Sequence, residues 1–153
     1  MYYKNFLDPQ EVQALNDMVA EAEKLTAGEI KVLVVQNSGK FPGDLDADRT
    51  QSRANQEFFE LGLNHTQNST GILIMISLDE RRVEVRAGKA IDEFYDQSMW
   101  QAIVDKITSE IKAKDPAKGI CEAIAMAGDI LSEHFPIHVG DVNEIPNDIV
   151  FKE

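Results

Sequence analysis

Residues 71–88, reading G-I-L-I-M-I-S-L-D-E-R-R-V-E-V-R-A-G, constrain the fold more than any other stretch of the chain. Ile72 to Leu78 is a continuous apolar run with β-branched isoleucines at its centre. A run so short and so apolar suits a strand buried on both faces better than a helix. Asp79-Glu80-Arg81 then supplies polar turn residues. The chain resumes with Val83, Val85 and Ala87 alternating with Arg82, Glu84 and Arg86, the period of two that marks a strand with one buried and one wet face. The pair predicts a β-hairpin, central strand first, with Gly71 and Gly88 at its open ends.

The rest of the chain supplies helices to cover such a hairpin. Asp8-Pro9-Gln10-Glu11 is a helix start: an Asp cap, Pro at the first position and Glu three after the cap. Val12, Leu15, Val19 and Ala22 follow at helical spacing, and Gly28 closes the segment. Glu29 to Val35, E-I-K-V-L-V-V, reads as a second central strand. A loop over 37–43 leads to a helix from about Asp48 to Leu61, with Ala54, Phe58 and Leu61 inward. Leu63 to Thr70 reads as a polar loop. Lys89 to Gln97 is a loop after the hairpin. Trp100, Ile103, Val104, Ile107 and Ile111 form the stripe of a third helix. Asp115-Pro116 repeats the cap-plus-proline start for a fourth, with Ile120, Ile124, Ala127 and Leu131 inward and Pro136 as its stop. Residues 137–153 show no periodic face and read as an acidic tail beyond a domain of residues 1–136.

One strand–helix–strand unit makes a right-handed parallel crossover, and the hairpin adds an antiparallel strand. The predicted fold is α/β: a small mixed sheet of three to four strands sandwiched between helices. At 153 residues the chain is one domain long, and a chain of about this size buries roughly two-thirds of its unfolded surface. It needs no disulfide or metal merely to fold.

This topology has a consequence for charge. With the first two strands parallel, Glu29, the 62–70 loop and the 89–96 loop gather at one end of the sheet. Glu29, Asp92, Glu93 and Asp96 then converge from separate segments. The other end collects Asp44, Asp46, Asp48, Asp79, Glu80 and Asp115. Carboxylates gathered in this way repel one another, and a hard cation such as calcium offsets the repulsion with six to eight oxygen ligands. Glu29, Asp92, Glu93 and Asp96 are therefore the first candidate metal ligands, and Asp44, Asp46, Asp48 and Asp79 the second group. Asp141 and Glu144 are available to add ligands if the tail folds over the Glu29 end. Asp44, Asp46 and Asp48 share the alternate spacing that opens a calcium loop, but Arg49 stands where its glycine belongs and Asn55 where its bidentate Glu belongs. Solvated acidic loops are the plainer explanation of both groups in a chain this acidic.

The net charge of −12 argues against nucleic acid or an anionic membrane as partner. It favours divalent cations, a basic protein partner, or simple solubility. The single cysteine, Cys121, excludes an internal disulfide. It lies mid-helix with Ala127 where a phosphate-binding arginine would stand, so it reads as a packed residue rather than a nucleophile. His134 and His138 lie four apart, but Pro136 between them denies the helical geometry of a zinc pair. The amino terminus lacks a signal-peptide core and no run reaches membrane-spanning length, so a cytoplasmic protein without membrane insertion is expected.

Several segments in their order resemble the TPM domain family: Gly28-Glu29-Ile30 opening a strand, the 71–88 hairpin, and Ala113-Lys-Asp115-Pro-Ala-Lys-Gly119-Ile120 between the last helices. His134-Phe135-Pro136 followed by Asp141-Val-Asn-Glu144-Ile-Pro146-Asn147 looks like a soluble bacterial branch of that family. The resemblance spans residues 8 to 150. It implies an α/β sandwich and divalent-metal binding, by calcium first and magnesium second, and an acid phosphatase activity is attributed to a plant member. The family's loop after the hairpin usually reads Gly-x-Gly, with an Asp seven residues after the second Gly. Here Ala90 replaces that second Gly, Gln97 holds the expected Asp position, and Asp96 sits beside it. The function expected from residues and resemblance together is a calcium-binding module acting by protein interaction. The alternative is a low-specificity metal-dependent phosphatase.

Overall fold

The computed structural model describes residues 1–65, 70–93, 95–137 and 148–153. Asp8 starts the first helix, α1 (Pro9–Glu23), with a full capping box: its carboxylate accepts the Glu11 N–H at 2.8 Å, and Glu11 accepts the Asp8 N–H at 3.0 Å. Two of the N–H groups that this helix start leaves open are thereby satisfied. Strand β1 (Glu29–Val35) follows, then α2 (Asp46–Glu60), β2 (Gly71–Ser77) and β3 (Arg82–Ala87). A four-residue helix α3 (Lys89–Asp92), the long helices α4 (Gln97–Lys112) and α5 (Pro116–His134), and a short strand β4 (Val150–Lys152) complete the order.

The four strands form one mixed sheet in the order β3-β2-β1-β4. β1 pairs parallel with β2, from Glu29 opposite Gly71 to Val35 opposite Ser77, and β2 pairs antiparallel with β3. The crossover and the hairpin are thus as the apolar runs predict. Ile30, Val32 and Val34 point to one face with Ile72, Ile74 and Ile76, under α1, α4 and α5. Leu33, Val35, Leu73 and Met75 point to the other, where Ala54 of α2 and Leu63 meet them. Both central strands are buried along their whole length, which is why neither shows alternation in its sequence. Among the described residues no helix is long and apolar enough to cross a membrane.

Three expectations are corrected here. The polar face of β3 is not wet: Glu84 is 6% exposed and α2 lies over it, with the Thr50 hydroxyl donating to Glu84 Oε2 at 2.7 Å and Arg86 Nε donating to Asn55 at 2.7 Å. A period of two reports that two faces differ in polarity, and a polar helix face covers a polar strand face as readily as water does. Leu63 is no part of a polar loop but a fully buried core residue in a short 3-10 turn. Finally, the last residues rejoin the sheet: β4 runs parallel beside β1, from Leu33 opposite Val150 to Val35 opposite Lys152. A strand of three residues is too short to display a period.

Candidate functional site

The starts of β1 and β2 and the end of β3 do lie together. Glu29 N–H donates to the Thr70 carbonyl at 3.2 Å, and Gly88 N–H donates to the Gly71 carbonyl at 2.7 Å. The close of α5 is at this end too, where the Thr26 hydroxyl donates to the Phe135 carbonyl at 2.6 Å and Thr26 bridges Pro136. Gly28 allows this approach: a Cβ there would stand 2.6 Å from Leu131 Cδ2 and 2.9 Å from the Thr70 carbonyl oxygen.

Glu29 is 2% exposed and opens β1, apart in the strand order from the other three predicted ligands. Those three follow β3, which β2 separates from β1, and two strand spacings amount to about 10 Å. Asp92 closes α3 and accepts the Trp100 Nε1–H at 3.0 Å. Asp96 caps α4, accepting the Ser98 N–H at 3.0 Å as well as the Ser98 hydroxyl, and these bonds hold its carboxyl below the usual range. Glu93 is exposed. Among the described residues no three His, Cys, Asp or Glu side chains gather as a metal ion would require. Asp141, Glu144 and His138 lie outside the described residues.

The second predicted group is likewise divided among local partners. Asp46 pairs with Arg49, Asp48 Oδ2 accepts the Leu45 N–H at 3.3 Å, and the Asp44 backbone carbonyl accepts from Arg49 at 3.3 Å. The carboxylates of Asp46 and Asp48 thus serve the start of α2, where Asp44 contributes its backbone. Asp79 belongs to the hairpin turn and accepts from Asn37 Nδ2 at 3.0 Å and Gln36 Nε2 at 2.7 Å, which lowers its pKa.

What Glu29 meets is a residue the sequence reading left out. α1 runs out at Glu23 beside the start of β1. Along β1 the even-numbered N–H groups face the β4 side, as Gln36 shows by donating to the Lys152 carbonyl at 3.1 Å. β4 reaches back only to Leu33, so Ile30 N–H has no strand to donate to. It donates instead to Glu23 Oε2 at 2.7 Å. Glu23 Oε1 is buried and finds no N–H or other donor among the described groups, and its carboxyl lies within hydrogen-bonding reach of that of Glu29. Burial pushes the Glu23 carboxyl up to about 8, against the pull of the Ile30 N–H, and the charge and hydrogen bond of Glu29 push it further. Burial beside a second carboxyl therefore favours the protonated form of Glu23 at neutral pH.

Lys31 is the third charged group of this edge. It is 3% exposed, and its Nζ donates to the Asp148 carbonyl at 2.6 Å. Burial lowers its pKa, while the charges of Asp148, Glu23 and Glu29 act to retain its proton. Asn16 of α1 fixes the same edge from outside by accepting the Ile149 N–H at 2.9 Å. Neither Glu23 nor Lys31 has a sequence signal of its own. Glu23 lies on a helix whose acidic residues are mostly exposed, and Lys31 interrupts an apolar run that otherwise predicts a core strand. The interruption was the available clue.

The carboxyl pair suits a hard cation in charge and donor type. It offers at most four oxygens where calcium takes about six to eight, so water would complete the shell.

A family model described as the TPM domain matches residues 1–130. Among solved structures, the chain is similar to the BA42 protein of the psychrophilic bacterium Bizionia argentinensis, determined by NMR. The two share 27% sequence identity with a TM-score of 0.80, covering 95% of each chain. The fold is also that of the N-terminal domain of a P. gingivalis protein, at 22% identity and a TM-score of 0.63, covering 87% of this chain and 83% of that one. An N-terminal domain from Corynebacterium glutamicum matches at 12% identity and a TM-score of 0.55, covering 90% and 81%. No curated protein matches the chain.

Proposed function

The chain belongs to the TPM-domain family, and from that premise we propose that it is a binding module whose ligand is a divalent cation, calcium before magnesium. The cation docks at the end of the sheet where β1 and β2 begin, and its occupancy tunes how this end meets a protein partner. The observation that carries the reading is the buried pair of Glu23 and Glu29, with a Glu23 oxygen that finds no other donor. A proton satisfies that pair in the free protein, and a divalent cation is the natural competitor for the same oxygens. Magnesium, which sheds water reluctantly and demands octahedral geometry, fits a buried two-carboxylate site less well.

The alternative, a phosphatase, asks for cationic groups around a phosphoryl charge. Most of the arginines spend their charge elsewhere, Arg49 on Asp46. Arg53 pairs with Glu57, and Arg82 and Arg86 pair with Glu84, under α2. Binding without catalysis is the reading retained.

With so few protein ligands, a dissociation constant on the order of 10⁻⁴ M is expected, in the range of weak calcium modules. Calcium at about a hundredfold excess over that value then stabilises the fold by about 2.7 kcal/mol. Thermal unfolding of chelator-treated protein with and without calcium measures this directly. The reading predicts a rise of about 5–10 °C that shrinks in Glu29→Gln. An unfolding temperature indifferent to millimolar calcium would refute it, and so would an undiminished rise in the variant.

A further inference from the structure

We infer that the outer edge of β3 pairs with β3 of a second copy of this chain, antiparallel about a twofold axis at Val85, so that two four-stranded sheets join as one. β3 ends the strand order and pairs on one side only, with β2. Gly88 N–H donates to the Gly71 carbonyl at 2.7 Å, so the even-numbered residues Arg82, Glu84 and Arg86 turn their backbone groups to β2. Val83, Val85 and Ala87 therefore turn theirs outward. Arg86 Nη1 donates to the Val85 carbonyl at 2.8 Å, and among the described residues no group accepts from the N–H of Val83, Val85 or Ala87. α4 packs on the valine face of this strand and α2 on its glutamate face, and neither gives its edge a backbone partner. A six-residue edge without proline, lysine or bulge is a surface ready to pair with another strand. The opposite edge, β4, is only three residues long.

The charges of the strand choose both occupant and register. Arg82, Glu84 and Arg86 alternate in sign along the face that α2 covers. Two copies centred on Val85 set Val83 opposite Ala87 and Glu84 opposite Arg86, in both directions, and every outward N–H meets an outward carbonyl. Glu84 and Arg86 then form the pairs without backbone hydrogen bonds, where Cα atoms are about 4.5 Å apart and side chains meet most closely. A register centred on Glu84 instead sets Glu84 against Glu84 and Arg82 against Arg86, which like charges oppose. Within one chain the ion pairs to Glu84 are long, 3.3 Å from Arg82 Nη2 and 3.6 Å from Arg86 Nη1. The second copy's Arg86 offers Glu84 a further cation, and its Val85 N–H takes the carbonyl that Arg86 covers in the single chain. A segment of one charge sign finds no such match. The net charge of −12 on each copy opposes association and keeps the pairing weak.

Sedimentation equilibrium of the full chain at about 0.15 M salt, where charges more than about 8 Å apart are largely screened, reads the association, and amide exchange reads its place. The inference predicts an average mass that climbs from monomer toward dimer with protein concentration. Over the same range the amides of Val83, Val85 and Ala87 slow about tenfold, while those of Arg82, Glu84 and Arg86, held by β2 already, do not. Ala87→Pro removes one outward N–H and spares the ladder to β2, so it should associate about tenfold more weakly. A chain that stays monomeric at millimolar concentration overturns the inference, even where an added foreign peptide binds the edge. A dimer whose outward β3 amides exchange no more slowly than the monomer's overturns it as well, because the copies then meet elsewhere. So does a folded Ala87→Pro that associates as the wild type does. If that variant fails to fold, the wild-type exchange pattern alone decides.

Discussion

Glu23 concentrates the electrostatic character of this molecule in one side chain. Its carboxyl keeps its proton up to about pH 8 in the folded state, against an ordinary value of 4.5. Between those two values the folded chain binds more protons at this group than the unfolded chain does. The resulting stability is complete below the unfolded value and is lost as pH rises through the folded one. With the partial exposure of Glu23 allowed for, the loss is on the order of 2 kcal/mol, or about 4–8 °C in unfolding temperature. Unfolding scans of metal-free protein at about pH 5.5 and about pH 8.5 measure this effect, and Glu23→Gln should flatten the difference. A wild-type profile that is level or rises over that interval would contradict the proton held by Glu23. Residue-level chemistry of this kind was largely illegible in the sequence. Glu29 was singled out because it opens a strand, but its partner comes from a helix end six residues earlier in the chain. The late start of β4, opposite Leu33, explains why that carboxylate turns toward β1, to take the Ile30 N–H.

Elements tell a more even story. The capping boxes, the proline starts and the apolar stripes are local signals, and α1, α4 and α5 stand where those signals put them. β1 has the bounds its apolar run predicts, and the hairpin occupies the predicted 71–88 stretch. What pattern does not convey is which polar face another element covers. α2 shows this twice, over Glu84 and again at Glu57. Glu57 is 2% exposed, accepts from Arg53 Nε at 3.3 Å, and accepts from Lys152 Nζ at 2.7 Å. Arg53 in turn donates to the Asn37 carbonyl beyond the end of β1. This small network is how α2 holds β4, a strand within the stretch whose sequence reads as a tail. Removing the charge of Glu57 leaves Arg53 buried without its counterion, and breaking such a pair costs about 3–5 kcal/mol. Glu57→Gln keeps the shape and part of the hydrogen bonding, so a loss of about 2–3 kcal/mol is expected in denaturant unfolding. Faster amide exchange across Val150–Lys152 should accompany it. A loss below about 0.5 kcal/mol would show that β4 is held by other means.

At the scale of the whole molecule, one feature of the topology was legible from the start. A parallel β1–β2 pair followed by a hairpin must bring Glu29, Gly71 and Gly88 to one end, and they are there. A shared end is not by itself a shared site. An end of a sheet is about three strand spacings wide here. The Asp92–Asp96 segment leads into α4, whereas Glu29 turns to α1 and Lys31 to the approach of β4. The acidic excess of the chain, net −12, is accordingly spread among helix starts and turns. Among the described residues the pair of Glu23 and Glu29 keeps a buried Glu23 oxygen without a donor. The claim that this pair is the cation site is tested most directly by adding calcium to metal-free, nitrogen-15-labelled protein and following every amide. The account predicts saturable shifts centred on residue 23, residues 28–31 and residues 70–72. Shifts centred on residues 44–48 and 79–80, or none at any concentration up to several millimolar, would contradict it.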